Sequence, residues 1–287
     1  MVWKKHDYED IPGTYVFDGK TAHQSYAINK MLFTFNSEAC RDEFEADPAA
    51  YCDKFGVKGK LKETVLKKDF LGMLRLGCNI YFMAKMAIPR GTSVQDAGAA
   101  FQGITTEEFQ KKLLQKREGL EEKLAKIGGY WNASSHIPAV GNAIANGITQ
   151  TPYWKRFFDG YEPAKAWLKK VDPDVIIVVY NDHGLNFFLD KVPTFALGCA
   201  DIYENADEGW GLKPVAPFEG DAQFSWHIAE SLIEQEFDIC TCQEMLVDHG
   251  FVNPIRALYG TLEKWPIKAI PLAVNTVQHP VPTATRC

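Results

Sequence analysis

The sequence is short of the features that mark several large functional classes. Its 287 residues carry 31 Lys and Arg against 37 Asp and Glu, a net charge of −6. Neutralising a phosphate backbone needs clustered cations, and no such stripe is present, so no nucleic acid is expected as a partner. The most apolar stretch, Phe70 to Ile88, is broken by Gly72, Arg75, Gly77 and Lys85. A membrane span needs about 20 nearly uncharged residues, so no membrane is expected either. The opening Met1-Val2-Trp3-Lys4-Lys5-His6-Asp7 lacks the apolar core of a secretory signal. Seven cysteines form an odd set without a CxxC pair, and free thiols in a reducing cytoplasm are the simplest reading. GxxxxGK[ST], GxGxxG after a strand, GxSxG and HExxH are all missing. Phosphate-cradling loops and nucleophile elbows therefore gain no support.

What is present is enough to build a core. Hydrophobic residues make up 46% and charged residues 24% of the chain, the balance of an ordinary globular protein. The first part reads as helical, with segments from Ser37 to Phe55 and from Lys60 to Phe70. Phe70 to Ile88 is apolar around most of its circumference and is expected to form the buried central helix, with Arg75 a candidate for a buried ion pair. Thr105 and Glu108 have the spacing of a capping box and should launch a charged helix to about Ile127, ended by Gly128-Gly129. Beyond that point the pattern changes. Asp174 to Tyr180 is a continuous β-branched run, expected as a strand buried on both faces. Thr194–Cys199 and Ile267–Val274 are weaker candidates for neighbouring strands, and Cys240 and Cys242 alternate on another. Tyr153–Lys170, interrupted at Pro163, and Asp221–Phe237 read as helices between them. The expected architecture is a small all-α module over residues 1–128, then an α/β module over 129–287 with a central sheet flanked by helices.

Three of the seven histidines stand where loops should leave the α/β module. His136 lies in Ser134-Ser135-His136-Ile137-Pro138, His183 in Asn181-Asp182-His183-Gly184, and His249 in Val247-Asp248-His249-Gly250. His183 directly follows a strand, and open α/β sheets bind ligands outside the carboxyl ends of their strands. Asp182 and Asp248 each precede a histidine, although adjacency in sequence does not establish contact. His6, His23, His227 and His279 read as surface residues or satisfied core groups. The spacings are too long for a local ligand motif, so the residues alone leave a two-histidine metal site and ordinary loop histidines both open.

The same residues carry a resemblance. Ser134-Ser135-His136-Ile137-Pro138-Ala139-Val140-Gly141, Tyr180-Asn181-Asp182-His183 and Asp248-His249-Gly250 resemble the catalytic (β) subunit of the protocatechuate 4,5-dioxygenase family, the type II extradiol dioxygenases. Thr194 to Cys199, Ala206 to Gly211, Trp226 to Glu230 and Trp265-Pro266 extend the likeness. Gly13 to Gly19, Leu71 to Gly77 and Asn79-Ile80-Tyr81 resemble that family's small helical (α) subunit, so the chain is similar to an α-then-β fusion joined near Gly128-Gly129. The resemblance implies a non-haem Fe(II) held by two histidines and one glutamate, with positions open for substrate and O₂. His136 and His183 match the two histidine ligands. His249 matches a histidine near the substrate, with a catalytic role in orienting it or exchanging its proton.

In the family the glutamate ligand and another histidine, the usual general base, lie in a further stretch past the point matching Cys287. None of Glu204, Glu208, Glu230 or Glu244 sits in that glutamate motif. Three readings stay open: the sequence is a fragment, a completing C-terminal polypeptide is a partner, or this chain is not an active enzyme alone; a homo-oligomer is expected by analogy. The implied activity is ring cleavage of a carboxylated catechol in aromatic-compound catabolism, protocatechuate first and gallate or a methylgallate second. The alternatives are a non-catalytic or partner-dependent relative with an incomplete metal site, and a zinc hydrolase using the same histidines.

Overall fold

Short helices, most of them started or stopped by a cap, proline or glycine, build the first part of the chain. The computed structural model describes residues 11, 14–88, 91–117, 134–208, 215–260 and 264–287. The chain divides into two units, Met1–Trp131 and Asn132–Cys287. The expected join at Gly128-Gly129, and the charged helix beyond Arg117, lie outside the described residues.

In the first unit the expected helix from Ser37 to Phe55 is two, Glu38–Ala46 and Pro48–Lys54. Pro48 cannot continue a helix but suits the first turn of a new one, and the Asp47 carboxylate caps it by accepting from the Ala49 and Ala50 N–H groups. The expected central helix from Phe70 to Ile88 is likewise two, Phe70–Arg75 and Ile80–Ala87. The chain turns between them at Gly77, whose φ of 91° suits glycine; a Cβ there would also come within 2.5 Å of the Thr21 methyl. The turn changes the fate of the charges. Arg75 is exposed and its Nε donates to the Tyr15 hydroxyl at 3.2 Å, so it forms no buried ion pair. The buried cation is Lys85, 8% exposed. Its Nζ donates to Asn36 Oδ1 and lies 5.1 and 5.8 Å from the Phe33 and Phe82 ring centroids. The capping box forms as the spacing predicts: Thr105 N–H donates to Glu108 at 3.0 Å, and Glu108 N–H to the Thr105 hydroxyl at 3.1 Å.

In the second unit, strands β1 (Val175–Tyr180), β2 (Phe195–Gly198), β3 (Ile202–Asn205) and β4 (Phe218–Glu219) precede helix Ala222–Glu234, β5 (Cys240–Cys242) and β6 (Leu246–Val247) follow it, and helix His249–Tyr259 leads to β7 (Lys268–Val274). A four-stranded sheet has the order β1-β7-β2-β5, and a three-stranded one the order β4-β3-β6. β1 runs parallel to β7, and β7 antiparallel to β2, so the larger sheet is mixed. Helix His249–Tyr259 covers one face of it, packing Phe251, Val252 and Ile255 against Ile176, Val178 and Tyr180. Helix Ala222–Glu234 packs Ala229 over Leu197 and Ile270 on the other face. The expected α/β architecture is present.

The expectation for β1 fails in one respect. Ile177 is 47% and Val179 64% exposed, because β1 ends the sheet and helix Ala222–Glu234 packs over β2 rather than β1. A β-branched run marks a strand without fixing its place in the sheet. The interval from Tyr153 to Lys170 also holds two helices, Lys155–Asp159 and Glu162–Val171, with Pro163 in the first turn of the second. Among the described residues no helix is long and apolar enough to cross a membrane.

Candidate metal centre

Three chain segments meet at the end of β1. His183 stands just past that strand, on a loop folded around the Asp182 carboxylate. That carboxylate accepts from the backbone N–H groups of Gly184 at 3.0 Å, Leu185 at 3.1 Å and Phe187 at 3.2 Å, and from the Asn186 amide at 2.7 Å. Asn186 ties the loop to β6, its Nδ2 donating to the Leu246 carbonyl at 2.8 Å and its Oδ1 accepting from Leu246 N–H at 2.9 Å. His249 is the first residue of the helix that follows β6, capped by Asp248. His136 stands two residues before helix Pro138–Ala145. Asn253, one turn past His249, donates to the His136 and Ile137 carbonyls at 3.1 and 3.2 Å. Gly141 admits this approach, since a Cβ there would lie 2.5 Å from Asn253 Oδ1.

The outcome is a cluster of three imidazoles. Ring centroids are 4.2 Å apart for His183 and His249, 5.0 Å for His136 and His183, and 5.8 Å for His136 and His249. One ring nitrogen from each lies within 4.8 Å of the others. The remaining histidines do not join them: His23 and His227 are exposed, His279 follows β7 in the C-terminal segment, and His6 lies outside the described residues.

Two carboxylates brace the cluster, and sequence order would misassign one of them. Asp248 serves not its neighbour His249 but His183, 65 residues away, taking the His183 N–H at 2.7 Å and facing Nδ1 at 2.9 Å. Glu208 serves His249, accepting its N–H at 2.8 Å and facing its Nδ1 at 2.9 Å. A carboxylate against Nδ1 holds the proton there and leaves Nε2 as the lone-pair donor. At His183 the Asn181 amide lies 3.1 Å from Nε2, which fits an acceptor at that atom. Asp248 is wholly buried. Burial by itself would push its carboxyl up, but the His183 and His249 imidazoles and the His183 hydrogen bonds outweigh it and hold the group below the usual carboxylate range. Burial, reinforced by the two other imidazoles, pushes His136 down to about 4, so at neutral pH it too offers an uncharged lone pair. Gly250 completes the packing, since a Cβ there would lie 2.9 Å from both His183 Cε1 and Asp248 Oδ1. The bracing carboxylate Glu208 was not assigned from sequence, although it lies in the Ala206–Gly211 block that carries part of the resemblance.

Three converging imidazoles, two of them with a carboxylate behind Nδ1, make a donor set suited to a divalent transition metal. Against this geometry, the model of the catalytic LigB subunit of aromatic ring-opening dioxygenase matches residues 131–287, more than half of the chain. The chain belongs to this family of dioxygenases. The LigA subunit of the aromatic-ring-opening dioxygenase LigAB matches residues 28–114. The chain is 43% identical over 82 residues to a gallate dioxygenase of Pseudomonas putida, covering 29% of this chain and 24% of that protein. It is 29% identical over 161 residues to 2,3-dihydroxyphenylpropionate/2,3-dihydroxicinnamic acid 1,2-dioxygenase 2 of Pseudomonas putida, covering 56% and 48%. A relative of the same activity from Cupriavidus necator is 30% identical over 123 residues, covering 43% and 37%. The chain thus spans about half the length, or less, of the curated relatives it matches.

Proposed function

We propose that His136 and His183 hold ferrous iron, and that His249 works on a carboxylated catechol whose ring is opened by O₂. Protocatechuate is the first candidate substrate, gallate or a methylgallate the second. The observation carrying this is the convergence of three imidazoles from separate chain segments, with a carboxylate behind two of them. The donors fit the ion: imidazole suits iron, and a set with positions left open is the arrangement of non-haem oxygenases. When bound, the iron supplies Lewis acidity to the catechol hydroxyls and a path for electrons to O₂.

The chain's own residues do the rest. Asp248, through Nδ1, fixes the rotamer and tautomer of His183, and Asn253 fixes the backbone that carries His136. Glu208 keeps a proton on His249 Nδ1, so Nε2 is the ring atom that would accept one from a ring hydroxyl, and the same carboxylate would stabilise the imidazolium that results. Among the described residues no carboxylate joins the three imidazoles as a further ligand, and Glu208 and Asp248 are turned to Nδ1 atoms. None of the described residues is assigned the role of the family's glutamate ligand or further base.

Oxygen uptake tests the reading. The ferrous-loaded chain, with its completing polypeptide if one is required, should consume O₂ on addition of protocatechuate and form a yellow ring-fission product. His183→Ala should abolish both. Uptake unchanged in that variant removes the assignment, and tight zinc with no uptake favours the hydrolytic alternative.

A further inference from the structure

Among the described residues of the second unit, a buried cation has no carboxylate to neutralise it. Arg256 is 7% exposed, and its Nε has no hydrogen-bond partner. Burial draws its pKa down, and no carboxylate acts against that. An unpaired charge held away from water is among the costliest arrangements a fold can keep. Its place on the helix gives it a use. Seven residues separate it from His249, which at about 100° per residue puts the two within about 20° of each other and about 10.5 Å apart along the axis. Helical side chains lean toward the N-terminus, so Arg256 leans along the face that bears Asn253 and His249. Asn253, between them, holds the His136 backbone. The relatives' names supply the complementary charge: gallate and 2,3-dihydroxyphenylpropionate each pair a hydroxylated ring with a carboxylate.

We propose that Arg256 is the specificity-determining residue that binds the carboxylate of the aromatic substrate. The inference rests on the dioxygenase reading of the imidazole cluster. A guanidinium suits the task because its planar fork matches a carboxylate with two parallel hydrogen bonds and it stays charged when buried. The substrate would bring the missing counter-charge, and its ring would be oriented with the hydroxyls toward the imidazoles.

Anaerobic calorimetric titration of the ferrous-loaded chain, with its completing polypeptide if one is required, with protocatechuate and with its methyl ester tests this, the ester removing the negative charge but not the catechol. Wild type should bind the acid at least about tenfold more tightly than the ester, as a charge-assisted pair requires. Arg256→Met should erase that gap while leaving ester affinity within about twofold, the signature of a direct coupling in a double-mutant cycle. Equal weakening of both ligands would mark a merely structural role and overturn the proposal, as would a gap that survives in Arg256→Met. Arg256→Lys covers the case in which the Met variant fails to fold. It keeps charge without the fork and should shrink the gap at least about threefold, and a full gap there overturns the proposal too. Wild type that binds both compounds equally defeats Arg256 alone. Wild type that binds neither defeats the dioxygenase reading beneath it.

Discussion

The two buried cations, one in each unit, are treated in opposite ways. Lys85 in the helical unit is closed off: an amide oxygen accepts its proton and two aromatic faces flank its charge. Arg256 in the α/β unit is open, buried to nearly the same degree without a partner. The imidazoles of His183 and His249 are braced differently again, each with a carboxylate on its Nδ1 atom. A buried cation whose charge is met within its own unit serves the fold, and one without a carboxylate beside it is available for chemistry. Within one chain, the difference separates a packing module from a module built around a site.

The strongest way to sharpen this contrast is to disturb a carboxylate behind an imidazole. Asp248→Asn puts an amide N–H against His183 or forces the ring to turn, and ferrous affinity measured by competition with a chelator should fall about 10- to 100-fold. An unchanged affinity would mean that the bracing is incidental. Next comes Gly250→Ala, whose new methyl must displace His183 or Asp248. A thermal or denaturant melt should show a loss of about 1–3 kcal/mol, the usual range for overpacking, and a loss near zero would show that the cluster has slack.

The cations themselves supply a direct comparison. Lys85→Met deletes a charge-assisted hydrogen bond and cation–π contacts and should destabilise by about 1–3 kcal/mol. Arg256→Met removes only an unpaired charge and should leave stability unchanged or raised. Equal losses in the two variants would break the distinction. The smallest effect concerns Asp96 in the helical unit, where the Ser93 and Thr106 hydroxyls and the Ser93 N–H lower its pKa from 3.8. A depressed carboxyl adds stability above its unfolded pKa and loses it as pH falls through the folded value. The gap between the melts of wild type and Asp96→Asn should therefore be present at neutral pH and close below about pH 3.8. A gap independent of pH would assign the effect to shape rather than charge.

How far the sequence discloses this depends on the range of the interactions. Local signals read well: the Thr105–Glu108 box, the strands around Val178, Leu197 and Ile270, and the loop positions of His136 and His183 follow from nearby residues or quoted motifs, whereas His249, expected on a loop, opens helix His249–Tyr259. Signals that depend on the rest of the fold do not. Nothing near Phe70–Ile88 says that Gly77 turns the chain rather than lying within a helix, and the β-branched run of β1 is silent about its place at the sheet edge. The bracing carboxylates are the clearest case. Glu208 is 41 residues from His249, and Asp248 is 65 from the imidazole it holds rather than one from the imidazole it adjoins. Arg256 shows the same limit, because its lack of a partner exists only once the helix is packed.

The central claim is that His136 and His183, distant in sequence, grip one ion. Anaerobic loading with ferrous iron, desalting and metal analysis of wild type beside His136→Ala and His183→Ala test it most directly. About one iron per chain in wild type and less than about a tenth of that in each variant is the predicted result, since ligand loss should exceed the loss from outer groups. Iron retained in full by both variants would contradict it.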